Sequence, residues 1–163
     1  MKLPYDKAPP EDGHNIALVK QKFPQLGLVL DLQNQDGVYE AVPGVVRQFV
    51  PQESKKIPSR ATVRAFCDAA SAWWAAPGRG DSCLVAVHCH YGFNRTGFLL
   101  VSYLVEEEGW DVDVAINAFA AARPPGIKHE NFKAELRRRY ESSAAARCRR
   151  ALRRGVVGVC GLV

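Results

Sequence analysis

The densest chemistry in the chain lies in consecutive residues 88–97, His88-Cys89-His90-Tyr91-Gly92-Phe93-Asn94-Arg95-Thr96-Gly97. A thiol is followed, after five residues, by a guanidinium and then a hydroxyl. A loop of this length feeding a helix presents successive backbone N–H groups, here from His90, Tyr91, Gly92, Phe93, Asn94 and Arg95. Together with the positive end of the helix dipole they make a ready phosphate site. Arg95 adds a bidentate clamp for two phosphate oxygens. The same field is expected to depress the Cys89 pKa, so that the thiolate is populated near neutrality. Thr96 stands where its hydroxyl can hydrogen-bond the sulfur and help it leave later. His88 can order the loop from behind through backbone hydrogen bonds. Gly92 and Gly97 permit a tight curl and a close approach to the ligand. The expected product is a nucleophile aimed at phosphorus, not merely a cradle. A nucleotide-binding Walker loop is excluded, because the Gly-Lys-Ser/Thr ending is missing. His88-Cys89-His90 has no second ligand cluster at zinc-site spacing, so neither a metal nor a cofactor is expected.

Such a loop needs a buried strand before it and a helix after it. SCLVAV (82–87) reads as the strand, and an apolar helix ending near Gly109 follows the loop. In an open α/β sheet, ligands bind beyond the carboxyl ends of the strands, where this loop must sit. LGLVLDL (26–32) suits a strand buried on both faces. The next residues carry turn chemistry at Asp36-Gly37, and VVRQFV (45–50) is a second strand closed by Pro51. Ser59 is a plausible N-cap for a helix to about Ala76, with Val63, Phe66, Cys67, Ala70 and Trp74 on one face. Asp111 can cap the next helix, which buries Val112, Ala115, Ile116 and Phe119. ARPPGIKH interrupts it, and the last helix spans 129–140. Residues 1–25 read as an irregular, Pro-punctuated arm and 141–163 as a basic Ala/Arg-rich tail. The expected fold is a single α/β domain, 1–140, with a mostly parallel central sheet flanked by helices.

With 163 residues the chain has room for one full core. No apolar run approaches the roughly 18 residues of a membrane helix, and the polar start shows no signal peptide. Five cysteines without paired spacing suit a reducing compartment, nucleus or cytoplasm. The net charge of +5 is unevenly spread. Residues 133–154 hold nine basic residues against two acidic, whereas 1–132 hold thirteen against fifteen. The basic character therefore belongs to the C-terminal end. It suits nucleic-acid contact or a nuclear import signal, and equally a solvated helix end.

HCHYGFNRTG matches the signature of the cysteine-dependent phosphatases: Cys, five residues, Arg, then Thr or Ser. Its Gly-Phe-Asn-Arg-Thr-Gly form closely resembles the RNA 5′-triphosphatase domain of metazoan-type mRNA capping enzymes and related RNA/RNP-complex phosphatases. LGLVLDLQNQ is similar to that family's strand ending in Asp-Leu-Thr-Asn-Thr. The stretch from Phe98 to Tyr140, including the ARPPGI turn, follows the family's helices almost segment for segment. The resemblance implies the dual-specificity (tyrosine) phosphatase fold and a phosphocysteine intermediate on Cys89. His90 and Tyr91 replace the family's usual Thr and His, and Gln33-Asn34-Gln35 replaces Thr-Asn-Thr. Those positions face RNA in the relatives.

Tyrosine phosphatases carry an Asp acid in the loop between the second strand and the following helix. Here that loop, PQESKKIPS, has no Asp, and Glu53 is its only acid. A phosphotyrosine leaving group, with a pKa near 10, needs a proton, whereas a nucleoside diphosphate departs without full protonation. The missing Asp thus leans towards a phosphoanhydride, the 5′-triphosphate end of RNA. A protein tyrosine or dual-specificity phosphatase using Glu53 or a mobile acid is the alternative. An idle phosphate-binding module is a third reading, against which the intact Cys89 and Arg95 stand. Asp31 is either an acid or base for the second step or a turn cap acting through backbone hydrogen bonds. Lys55, Lys56, Arg123, Lys128 and His129 are candidates for substrate contact or for solvated surface. The expected partner is a phosphorylated substrate, an RNA 5′ end or a phosphoprotein, with no membrane involvement and a monomeric chain.

Overall fold

Three short apolar runs form a parallel sheet in the computed structural model, which describes residues 15–36, 42–79 and 83–140. Leu26–Asp31 (β1) is central, with Val46–Phe49 (β2) on one side and Leu84–His88 (β3) on the other. Asp31 pairs with Phe49 in one neighbour and with His88 in the other, so the three strands end level. Side chains alternate across the sheet. Leu28, Leu30, Val85 and Val87 enter the larger core, while Val29 and Ala86 join Leu26 in a smaller one on the opposite face. β1 is therefore buried on both faces, as its continuous apolar run requires. β2, at one edge, has side chains that are half or fully exposed.

Arg60–Ala75 (α2) begins where Ser59 accepts a hydrogen bond from the Thr62 N–H at 3.0 Å. It buries Val63, Phe66, Cys67 and Ala70, and Trp74 packs against the Tyr103 ring. Asn94–Glu106 (α3) is buried from Arg95 to Tyr103 and packs against α2, Val112–Ala122 (α4) and Glu130–Tyr140 (α5). Asp111 caps α4 through its carboxylate. The approach of α4 and its following loop to α3 depends on Gly97. A Cβ there would lie 2.5 Å from Phe119 Cε1 and 2.6 Å from Ile127 Cγ1.

The irregular arm expected over residues 1–25 needs correction. Ile16–Lys22 is a helix (α1), capped by Asn15 Oδ1, which accepts from the Ala17 N–H at 2.7 Å. Ile16 and Val19 cover the smaller core. Seven residues are too few for a periodic signal, and the surrounding prolines obscured a cap that only tertiary burial makes worthwhile. Residues 1–14, Gly37 of the expected turn and the basic tail at 141–163 lie outside the described residues. No helix among the described residues is long and apolar enough to cross a membrane.

Candidate active site

Because the strands are parallel and end level, the segments leaving β1, β2 and β3 meet at one edge of the sheet. Arg95, in the first turn of α3, joins them. Its Nη1 donates to the Leu32 carbonyl at 3.0 Å and to the Gln52 carbonyl at 2.9 Å. The side chain is buried, yet its Nε and Nη2 make no hydrogen bond to the described residues. Cys89 directly follows β3 and is 3% exposed. The Gly92 N–H, set by a φ of 74°, points at its sulfur at 3.3 Å. Burial alone would push the Cys89 thiol up. The Thr96 hydroxyl and N–H, the Arg95 charge and the Gly92 N–H outweigh it, and the thiol lies below its ordinary pKa. The Thr96 hydroxyl is buried and makes no hydrogen bond within the protein, yet it stands near enough to the sulfur to help lower its pKa.

Beneath the loop lies a charged cluster. Asp31 is fully buried, and its Oδ2 accepts from Arg47 Nε at 3.0 Å and Nη2 at 2.6 Å. Its Oδ1 accepts from the Gln33 N–H at 3.0 Å and stands 3.6 Å from His88 Nε2. Asp31 thus holds the turn after β1 and is not among the residues lining the cleft. His88 is also fully buried. Burial lowers its pKa to about 4 against the pull of Asp31 and of the Cys89 backbone, so the imidazole is neutral at physiological pH. Its ring lies behind the loop with Nε2 3.6 Å from Asp31.

A cleft of about 380 Å³ opens above Cys89. Cys89, His90, Tyr91, Asn94 and Arg95 form one side, and Gln33, Asn34, Ser54 and Lys55, from the ends of β1 and β2, contribute a second wall. His129 and Phe132 complete it. No carboxylate is present among these lining residues, whereas Lys55 and Arg95 are cationic. Glu53 points elsewhere; it is exposed and pairs with Lys56 at 2.6 Å. Lys55 adopts a left-handed backbone, φ 61°, a conformation that costs energy in a residue with a Cβ. Gln52 holds that turn, with its Nε2 donating to the carbonyls of Glu53 at 3.2 Å and Lys56 at 3.0 Å.

The segment between α4 and α5 is tied to the loop by Asn94. Its Oδ1 accepts from the Lys128 N–H at 2.8 Å and the His129 N–H at 3.0 Å, which brings His129 to the cleft. Asn94 thus has a positioning task besides lining the site. Phe93 sits under two cations, Arg123 at 4.7 Å and Lys128 at 4.2 Å from its centroid. Arg123 also reaches the Tyr91 carbonyl at 3.5 Å. Tyr91 is 62% exposed at the rim, edge-on to His90. Sequence reasoning missed Gln52 and Arg47 as organisers. It noted Gln33 only as a departure from a motif.

A cysteine whose pKa is lowered at the start of a helix, with a clamped guanidinium beside it, can attack a phosphoryl group. Comparison with known proteins agrees: residues 17–142 match the model of the dual specificity phosphatase catalytic domain. The chain belongs to that family. As a dual-specificity-type domain it is a cysteine-dependent phosphatase. It is 32% identical over 124 residues to a tyrosine-protein phosphatase of Autographa californica nuclear polyhedrosis virus, a match covering 73% of this chain and 71% of the viral one. It is 30% identical over 125 residues to the RNA/RNP complex-1-interacting phosphatase of Mus musculus, covering 75% and 39%. A 57-residue stretch is 56% identical to the mRNA-capping enzyme of Danio rerio, covering 35% of this chain and 10% of that enzyme. The chain therefore spans about a tenth of the length of the capping enzymes it matches. Human DUSP28 shares the fold, with a TM-score of 0.62 and 22% identity over 79% of this chain and 85% of that one.

Proposed function

We propose that this phosphatase removes the terminal phosphoryl group from the 5′-triphosphate end of RNA, with Cys89 as nucleophile. The supporting observation is the cationic cleft without a carboxylate. Such a cleft offers no carboxylic acid to protonate a phenolate or alkoxide leaving group, and its positive charge favours departure of a diphosphate that is already a stable anion. In the first step the Cys89 thiolate forms an S–P bond and the bridging P–O bond breaks. That electron pair leaves with the RNA 5′-diphosphate. Arg95 and the loop amides hold the equatorial oxygens as charge develops on them. In the second step a water oxygen attacks phosphorus, the S–P bond breaks, and phosphate and a proton depart. Thr96 donates to the returning thiolate. Asp31, capped into its turn beneath the loop, supports this geometry rather than reaching the phosphorus.

The names of the mouse and zebrafish relatives lend support, since both concern RNA. The viral relative favours a second reading, hydrolysis of phosphotyrosine or phosphoserine in proteins. The two separate in one assay: phosphate release from γ-labelled triphosphate RNA and from a phosphotyrosine peptide, side by side with chelator and with Cys89→Ser as blank. Faster turnover of the RNA is expected, and loss of both in the variant. Faster turnover of the peptide overturns the RNA assignment and requires an acid such as Glu53 to swing over the site.

A further inference from the structure

Gln33 presents a physical anomaly. It is 6% exposed, its Nε2 is buried, and that amide finds no hydrogen-bond partner, although the residue lines the cleft with Cys89 and Arg95. A buried donor left unmet costs free energy, so such groups rarely persist without a use. The backbone of Gln33 is firmly held. Its N–H donates to Asp31 Oδ1, and its carbonyl accepts from the Gln52 N–H at 3.1 Å. The amide is thus mounted on a rigid turn. Asn34, Ser54 and Lys55 line the same cleft as Gln33 and the Cys89 loop. The Cys89 loop and Arg95 are expected to take the three oxygens of a transferred phosphoryl group. Gln33, lining the same cleft, is then available to the group attached to it.

We propose that Gln33 is a specificity-determining contact whose Nε2 donates to an oxygen of the departing diphosphate, with Lys55 supplying charge beside it. This part of the cleft is then a subsite for a polyphosphate chain, and it favours phosphoanhydrides over simple phosphate esters. This inference rests on the triphosphate reading above and adds the group that recognises the leaving side. No carboxylate in the cleft competes for the amide, and the strained backbone of Lys55 is the kind of local cost found at binding sites.

The test is Gln33→Met, close in shape and without the donor. kcat/KM is measured on triphosphate RNA and on p-nitrophenyl phosphate, with the Tm of the unliganded protein alongside. Loss of a hydrogen bond to a charged group predicts a fall of about tenfold or more on the RNA. The fall on the aryl ester should be at least fivefold smaller, and the Tm equal to or above that of the wild type, since an unmet donor has been removed. Gln33→Asn, which keeps the amide on a shorter arm, should recover part of the loss on RNA only. Equal losses on both substrates, no loss on RNA, or a Tm lowered in proportion to activity each overturn the assignment. A wild type inert towards triphosphate RNA but active on the ester overturns the function proposed above, and this subsite with it. An active wild type with an indifferent Gln33→Met overturns the subsite alone.

Discussion

Replacing Thr96 by Val tests the electrostatics of the nucleophile most directly. The change deletes one of the donors that lower the Cys89 pKa and leaves the Thr96 N–H, the Gly92 N–H and Arg95 in place. A hydrogen bond to a charged group contributes about 1.5–3 kcal/mol. At a pH where the thiolate is the minor form, losing it lowers the thiolate population about 10- to 100-fold. The surviving thiolate is more basic and more nucleophilic, which returns about half of the loss on a logarithmic scale. Iodoacetamide alkylation of Cys89, followed by mass spectrometry with Cys89→Ser as control, should therefore slow by about three- to tenfold. Cys67, buried and pushed up to about 12, serves as an unreactive internal reference. Stability should behave differently. The Thr96 hydroxyl is buried and makes no hydrogen bond within the protein, so Val orphans no other group and the Tm should hold or rise. Unchanged alkylation would refute the reasoning, because the loop amides and Arg95 would then hold the thiolate without the hydroxyl. A Tm that falls in step with reactivity would refute it too, since the hydroxyl would then be structural.

Two further outcomes follow from packing and from titration. Gly97→Ala drives a methyl into Phe119 and Ile127, and overpacking of this kind costs about 1–3 kcal/mol, which urea unfolding should detect. His88 has a folded pKa of about 4, below its ordinary 6.5, so protons bind the unfolded chain more readily. Its contribution is complete above pH 6.5 and is lost as the pH falls towards about 4. Urea melts at pH 7.5 and 4.5 should differ by about 2 kcal/mol, and His88→Asn should flatten that difference. An equal acid loss in the variant would assign the effect to other groups.

The nucleophile loop was legible because its chemistry is contiguous. One strand, one turn and one helix end hold Cys89, Arg95 and Thr96, and a short window of sequence contains them all. The α/β architecture was legible for a similar reason: LGLVLDL and the run ending at His88 announce buried strands, and Ser59 and Asp111 announce helix starts. What could not be read depends on three separated segments ending level in a parallel sheet. Arg47 reaches Asp31 only because β2 lies beside β1, and Gln52 meets Gln33 and Arg95 only beyond those strand ends. Asn94, whose place in the loop suggested phosphate binding, is engaged by the backbone of Lys128 and His129, partners distant in sequence. Helix α1 escaped notice because its seven residues gain their stability from covering Val29 and Ala86, not from a pattern of their own.

Arg95 bonds the carbonyls of Leu32 and Gln52 before any phosphate arrives, which gives it a second employment as a tie between strand ends. Deleting it would orphan two acceptors at roughly 1–3 kcal/mol each, whatever happened to catalysis. A descendant of this protein that abandoned phosphate chemistry would still be under pressure to keep the arginine for its architecture. Cys89 is under no such pressure: its sulfur ties no strand ends together, and a small apolar residue could fill the space. Among relatives that share this geometry, the arginine therefore reports that the strand ends are tied, and it is the cysteine whose retention reports that the chemistry is still in use.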